Sequence, residues 1–343
     1  MDSREQVAEA DGEQRLAEAA FEATRPEPVR TTVAAVVVSY NVRDMLVDCV
    51  GDLVAARDAG EIDEVVVVDN RSTDGSYDAI QSRFPEVKLL LGPGRGYGSG
   101  ANVGLEQVAS DYVIVLNSDT RVSAGTISAL REFLDNYPGV GIVSPRLRLP
   151  SGEIQVARHR FPTRLTPLFV STTIAQWWPN NPVRRRFLYV NREEDRVQLV
   201  DWVAGAFLMM RREPLQALGG FDEAYYMYCE EVDLAWRFRR AGSRTAYVPS
   251  VEVVHIGGAS TYNSWISRRI EYDTSRVLLQ RRLHGPLNAW LIRVVFLAGY
   301  LFTIGRNGFR WLRNDDRPER SERMRFYWRA LRSGLRAPRF EDS

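Results

Sequence analysis

Four short apolar runs, Val33 to Ser39, Glu64 to Asp69, Val87 to Leu91 and Tyr112 to Leu116, alternate with segments of helical spacing. This alternation constrains the fold more than any other feature of the chain. A strand that is apolar at nearly every position must be covered on both faces, which marks a parallel sheet held between helices. Val42 to Arg57 has helical spacing between the first two runs and completes a βαβ unit, and a helix is expected over Ala101 to Ala109. The expected fold is therefore α/β, a mainly parallel sheet with helices on both faces.

The pattern weakens after Pro150. Residues 157 to 198 mix Pro, Trp and Arg without a period and read as a long connection or lid. Order returns at Val200 to Met210. A turn follows at Gly219-Gly220-Phe221-Asp222, then an amphipathic helix over Glu230 to Ala241 with Gly242 as its C′ residue, then a strand from Val251 to Ile256 that carries His255.

Composition excludes little but sets the class. With 343 residues, 45% of them hydrophobic, the chain can bury a large core. Lys and Arg number 45 against 44 Asp and Glu, so net charge gives no reason to expect nucleic acid as a partner. Cys49 and Cys229 lack metal-ligand spacing and read as reduced core thiols. Residues 1 to 30 are charged throughout, with no apolar signal-peptide core, and are expected to form a flexible or helical tail on the cytoplasmic side.

In open α/β sheets, ligands bind beyond the carboxyl ends of the strands. Ser39, Tyr40 and Asn41 follow the first strand, Asp69 and Asn70 the second, Gly92 to Gly100 the third, and Asn117-Ser118-Asp119 the fourth. One crevice should collect them. A carboxylate at Asp119 suits a hard divalent cation such as Mg²⁺ or Mn²⁺ bridging diphosphate oxygens. Taken alone, Asp69 fits turn chemistry as well as function, and Asp74 fits a helix N-cap. Gly96-x-Gly98-x-x-Ala101 also matches a relaxed dinucleotide fingerprint, but it follows the third strand rather than the first, which argues against a nicotinamide oxidoreductase.

The ordered set resembles glycosyltransferase family 2, with its GT-A fold, and in particular a bacterial rhamnosyltransferase-like branch. The resemblance rests on Val37-Val38-Ser39-Tyr40-Asn41, Val67-Val68-Asp69-Asn70-Arg71-Ser72-Thr73-Asp74-Gly75-Ser76 and Gly96-Tyr97-Gly98-Ser99-Gly100-Ala101-Asn102-Val103-Gly104. It continues through Leu116-Asn117-Ser118-Asp119-Thr120, Trp202-Val203-Ala204-Gly205-Ala206, Gly220-Phe221-Asp222-Glu223, Glu230-Glu231-Val232-Asp233-Leu234 and His255-Ile256-Gly257-Gly258.

The resemblance implies a catalytic domain over 31–262, with a nucleotide-binding half at 31–122 and an acceptor half at 123–262, followed by a helical, Arg-rich region at 263–343. It implies donor contacts from Ser39, Tyr40, Asn41, Asp69, Asn70, Gly96, Asn102, Asn117, Ser118 and Asp119, with Asp69 accepting the N3 hydrogen of uracil or thymine. Asn117-Ser118-Asp119 matches the metal-binding DxD motif, with Asn in the first acidic place, so Asp119 is the expected ligand and His255 its partner. Glu231, or Glu230 beside it, is the expected general base of an inverting transfer. Which of the two takes the proton stays open. Trp202, Gly205 and Asp233 are expected on the acceptor side.

The implied activity moves a sugar from a dTDP- or UDP-activated donor to a glycan or polyprenyl-diphosphate-linked acceptor in cell-surface polysaccharide synthesis. L-rhamnose from dTDP-L-rhamnose comes first, with UDP-galactose or another UDP-hexose behind it. The departures at Asn117 and Glu231 keep a silent nucleotide-sugar or glycan-binding protein as the alternative.

Leu287 to Ile304 is apolar but interrupted by Arg293, and arginines follow. An interfacial helix is expected here rather than a span, with Trp290, Phe296, Tyr300 and Phe302 in lipid and Arg306, Arg310 and Arg313 on anionic headgroups. That would put the chain on the inner face of the plasma membrane. A helix packed on the catalytic domain is the competing reading.

Overall fold

The computed structural model describes residues 30–190, 192–257, 265–312 and 317–336. The expected N-terminal tail lies outside these residues except for Arg30, as does Arg313. The first half contains β1 (Val33–Ser39), α1 (Arg43–Asp58), β2 (Glu64–Asp69), α2 (Ser76–Arg83), β3 (Lys88–Leu91), α3 (Tyr97–Leu105), β4 (Tyr112–Asn117), β5 (Thr120–Val122) and α4 (Thr126–Asn136). β1, β2, β3 and β4 pair in parallel, as their continuous apolar runs require.

The second half adds β6 (Val140–Arg148), β7 (Arg158–His159), α5 (Thr166–Ser171), α6 (Thr173–Trp177), α7 (Pro182–Phe187), β8 (Gln198–Val200), β9 (Trp202–Val203), β10 (Phe207–Arg211), α8 (Arg212–Ala217), α9 (Glu230–Arg240) and β11 (Arg244–His255). The main sheet runs β3-β2-β1-β4-β10-β6-β11-β5, with β8 also on β11. β10 enters antiparallel between β4 and β6, so the sheet becomes mixed beyond β4. This is the GT-A architecture.

Strand periodicity divides the core between the two faces. Val33, Ala35 and Val37 pack with Leu46, Leu53 and Ile127 on one side. Ala34, Val36 and Val38 pack with Ala101, Phe221 and Phe238 on the other. Each fully buried valine contributes roughly 1.5–3 kcal/mol of transfer free energy, and none of the seven β1 residues is exposed.

Three local expectations change. The helix expected over Ala101 to Ala109 begins four residues earlier, at Tyr97. The Gly-rich stretch is therefore its first turns rather than a loop, because Gly104 and Gly100 let it lie directly on Val36 and Val38. The segment from 157 to 198 is not featureless but holds β7 and three short helices. Val200 to Met210 is not one ordered run but three short strands. Asp74 does act at helix starts, accepting from the Arg43 N–H of α1 at 2.8 Å and the Ser76 N–H of α2 at 3.1 Å. Gly242, at φ +89°, takes the left-handed C′ place after α9. Both cysteines are free and buried.

Three C-terminal helices follow, α10 (Trp265–His284), α11 (Pro286–Leu312) and α12 (Arg317–Ser333). Asp273 of α10, fully buried, accepts from Arg269 Nε at 2.8 Å and from the Tyr300 hydroxyl of α11. Pro286–Phe309 is long and apolar enough to cross a membrane, and only 28% of its most apolar stretch is buried. Phe296 and Tyr300 are buried against the neighbouring helices, contrary to their expected place in lipid, whereas Trp290 and Phe302 are exposed. Arg293, which interrupts the run in sequence, turns inward and donates to the Leu335 carbonyl at 3.3 Å. The outer face of α11 is consequently apolar, with Leu287, Trp290, Leu291, Val294, Leu301 and Phe302 exposed.

Gly96 joins β3 to α3 at φ +111°, and a Cβ there would stand 2.0 Å from the Tyr226 carbonyl oxygen. Gly96→Ala is expected to cost about 2 kcal/mol or more through this clash and the unfavourable backbone angle. A urea unfolding midpoint close to that of the wild type would contradict this packing.

Candidate active site

The strand ends open on one cavity of about 880 Å³, walled by the carboxyl ends of β1 and β4, the start of α3, the segments around 202–206 and 226–232, and α10. Ser39, Tyr40, Asn70, Gly96, Asn117, Ser118, Asp119, Trp202, Gly205, Glu230, Glu231 and His255 all line it. Asn41, Asp69, Asn102 and Asp233 are not among its lining residues.

Each of these four has other work. Asn41 accepts from the Thr73 N–H at 2.7 Å. Asn102 donates to the Phe221 carbonyl at 3.0 Å and accepts the Phe221 N–H at 2.9 Å, fixing the Gly220-Phe221 turn. Asp233 is fully buried, with Arg237 Nε at 2.7 Å and Arg282 Nε at 3.2 Å. It anchors α9 to α10. Asp69 accepts the Ser72 N–H at 2.7 Å through Oδ1, while its buried Oδ2 and the Ser39 hydroxyl opposite it in register have no partner. Asn70 lines the cavity, but its amide binds the Gly94 N–H at 2.8 Å and the Gly96 carbonyl at 2.9 Å.

Strand pairing assembles the acidic turn and the histidine. β4 ends at Asn117, and the Thr120 hydroxyl donates back to the Asn117 carbonyl at 2.8 Å, closing the turn. β11 then pairs with β5 so that His255 stands opposite Thr120. His255 Nε2 lies 3.4 Å from Asp119 Oδ1 and 3.4 Å from Asn117 Nδ2. Its Nδ1 is 2.9 Å from Gln155 Oε1, and in the tautomer that donates from Nδ1 to this oxygen the Nε2 lone pair faces Asp119. One imidazole nitrogen and one carboxylate oxygen suit a divalent ion whose other ligands are phosphate oxygens and water. Among the described residues no three His, Cys, Asp or Glu side chains converge as a complete cage.

The paired glutamates sit at the start of α9, after two non-glycine residues in the left-handed region, Tyr228 at φ 71° and Cys229 at φ 69°. Such backbone costs on the order of 1–3 kcal/mol per residue and persists only where packing enforces it. Here it turns both carboxylates into the cavity. Burial pushes Glu231 up to about 7, partly offset by backbone N–H groups of Glu231, Val232 and Cys229. Burial, and then the neighbouring Glu231, push Glu230 well above the usual carboxylate range. Gly205 faces this pair, its missing Cβ leaving room 3.4 Å from Glu231 Cβ.

Trp202 donates from Nε1 to the Arg160 carbonyl at 2.8 Å and stacks on His159 at 4.1 Å between centroids. Burial, with Arg158 and Arg276 nearby, lowers His159 to about 3, so the stacked ring is neutral. His159, Gln155, Tyr226 and Arg276 line the cavity without having been marked in sequence. The aromatic run Tyr225-Tyr226-Met227-Tyr228 beside Glu230 was a visible signal for Tyr226; the other three carried none.

Because both glutamates bind protons more tightly folded than unfolded, they oppose folding once pH exceeds their unfolded values near 4.5. Glu230→Gln is therefore expected to raise the thermal midpoint by about 2 °C or more at pH 8 and to change little at pH 4. Equal shifts at both pH values would show that the carboxyl is not held protonated.

A sequence model described as Glycosyl transferase family 2 matches residues 34–219. The N-acetylglucosaminyl-diphospho-decaprenol L-rhamnosyltransferase of Mycobacterium tuberculosis is 34% identical over 209 residues, covering 57% of this chain and 67% of that one. Rhamnosyltransferase WbbL of Escherichia coli is 35% identical over 101 residues, 29% of this chain and 38% of that protein. Among solved structures, the mannosyltransferase PcManGT of Pyrobaculum calidifontis, in complex with GDP-Man and Mn²⁺, superposes with TM-score 0.50 and 18% identity over 96% of this chain and 94% of that one. Glucosyl-3-phosphoglycerate synthase of M. tuberculosis, with Mn²⁺, UDP and phosphoglyceric acid, gives 0.51 and 17% over 75% and 80%. These distant likenesses concern the fold.

Proposed function

The chain belongs to glycosyltransferase family 2, and from that premise we propose an inverting, metal-dependent transfer of L-rhamnose from dTDP-L-rhamnose to a lipid-linked glycan acceptor. Nucleotide-sugar transfer follows from the family. The observation that carries the finer reading is the meeting of Asp119 and His255 with Glu231 in one cavity. Similarity to two rhamnosyltransferases supports the donor sugar.

In this reading the buried Oδ2 of Asp69, opposite Ser39 and next to Asn70, which line the cavity, becomes accessible when the donor binds and accepts the N3 hydrogen of a pyrimidine base, and the Ser39 hydroxyl supplies a second polar contact. Tyr40, exposed at the rim, offers a face for the base. Asp119 and His255 would hold Mg²⁺ or Mn²⁺, which when bound neutralises charge on the departing diphosphate. Asn117 and Ser118 shape the turn around that position. Loss of the leaving group gives oxocarbenium character at the anomeric carbon, and the acceptor oxygen attacks from the opposite face.

Glu231 takes the acceptor proton, because a carboxyl near 7 is both ionised enough and basic enough at neutral pH. Glu230, whose carboxyl burial and Glu231 push well above the usual range, would serve as a hydrogen-bond donor beside it when protonated. Trp202 and Gly205 form the acceptor's platform and clearance. Exposed apolar residues along α11 support a peripheral seat on an anionic membrane surface, where a polyprenyl-linked acceptor would be found.

Glu231→Gln is expected to lower transfer by about 10²–10⁴-fold while donor affinity stays near that of the wild type. In the wild type, kcat/KM should rise with pH through about 7 as Glu231 loses its proton. Undiminished turnover by the variant would remove Glu231 as the base. For the metal, Mn²⁺ should increase the thermal stabilisation given by UDP or dTDP, and Asp119→Ala should abolish that increment. An increment that survives the substitution would place the metal elsewhere.

A further inference from the structure

Residues of α5 and α10 line one part of the cavity, its arm. Pro162, Pro167, Val170, Met227 and Leu279 give it an apolar wall. Arg276 lies in that wall, one turn along α10 from Tyr272. Its Nη2 donates to the Tyr272 hydroxyl and its guanidinium lies 3.9 Å from the Tyr272 ring centroid, while its Nη1 has no hydrogen-bond partner. Among the described residues five further buried atoms of the lining lack a partner: Ser171 Oγ and His159 Nδ1, and, toward the strand ends and the glutamates, Ser39 Oγ, the Tyr97 hydroxyl oxygen and Glu230 Oε2.

A buried guanidinium nitrogen with no acceptor is costly, and a ligand that accepted from it inside the cavity would remove that cost. The carboxylates that line the cavity, Asp119, Glu230 and Glu231, belong to the acidic turn and the start of α9. Arg276 does not figure among the groups that shift Glu231, whereas it acts on Cys229, Tyr272 and His159. A planar guanidinium held flat on an aromatic ring is suited to a phosphate oxygen pair.

The geometry points to Arg276 as the residue that recognises a phosphate group of the acceptor, with the apolar wall taking the hydrocarbon stem attached to that phosphate. The inference rests on the glycosyltransferase reading for the word acceptor, but not for the binding itself. The acceptor sugar would occupy the Trp202 platform beside Glu231, its phosphate Arg276, and the stem the wall formed by Pro167, Val170 and Leu279. Ser171 and His159 supply the remaining hydrogen bonds. Selection of the acceptor would then reside partly in α10, which lies outside the segment matched to the family.

The test is equilibrium titration of the full chain, saturated with Mn²⁺ and UDP or dTDP so that the donor diphosphate site is filled. The probes are farnesyl diphosphate, farnesol and inorganic pyrophosphate. Farnesyl diphosphate should bind most tightly, Arg276→Ala should weaken it by about tenfold or more, and Arg276→Lys should weaken it less. Farnesol affinity should be unchanged in both variants, which controls for collapse of the arm. The proposal is overturned if farnesol or pyrophosphate alone binds as tightly as farnesyl diphosphate, or if Arg276→Ala leaves farnesyl diphosphate unaffected. None of these readings uses turnover, so failure of the transfer mechanism would appear separately, as absence of sugar transfer with farnesyl diphosphate binding intact.

Discussion

Parallel pairing of β1 with β2 on one side and β4 on the other sets the level at which every strand of the first half ends. Ser39 stands opposite Asp69, and Val38 opposite Asn117. A slip of one residue would turn every valine of β1 to the wrong face, and both faces are filled by different helices. The register is therefore held by the whole core. Its consequence is chemical, because three neighbouring strands end at one crevice, which Ser39, Asn70 and Asn117 line.

His255 and the paired glutamates come from chain segments that join this crevice later. β10, running against β4, turns the 202–206 segment toward the cavity. β11, running against β5, sets His255 beside Asp119. The left-handed pair Tyr228-Cys229 aims α9 inward, and Asp233 ties that helix to Arg282 of α10. Gly96, pressed against Tyr226, locks the junction of β3 and α3 to the segment carrying the glutamates. The two halves of the chain are thus one packed unit around a shared cavity.

Much of this was legible in sequence where a local rule governed. β-branched runs announced the first four strands, and motif order announced the acidic turn and the glutamates. The start of α3 was missed because glycine lowers helix propensity, while close approach to Val36 and Val38 overrides that cost. Motif position alone did not reveal that Asn102 holds a turn and Asp233 a buried ion pair, since only tertiary neighbours decide what a polar side chain meets. Gln155, His159 and Arg276 had no local pattern at all. They reach the cavity through pairings and packing across more than 40 residues, which one-dimensional spacing does not encode.

The account stands most directly on nucleoside diphosphate release. The full chain should be incubated with dTDP-L-rhamnose, UDP-galactose and other UDP-hexoses, a polyprenyl-diphosphate-linked acceptor, and Mn²⁺ or EDTA. Metal-dependent release matched by sugar transfer, highest with dTDP-L-rhamnose, is the predicted result. Tight, metal-dependent binding of the donors with no release from any of them would contradict it, leaving a nucleotide-sugar-binding protein in a transferase fold.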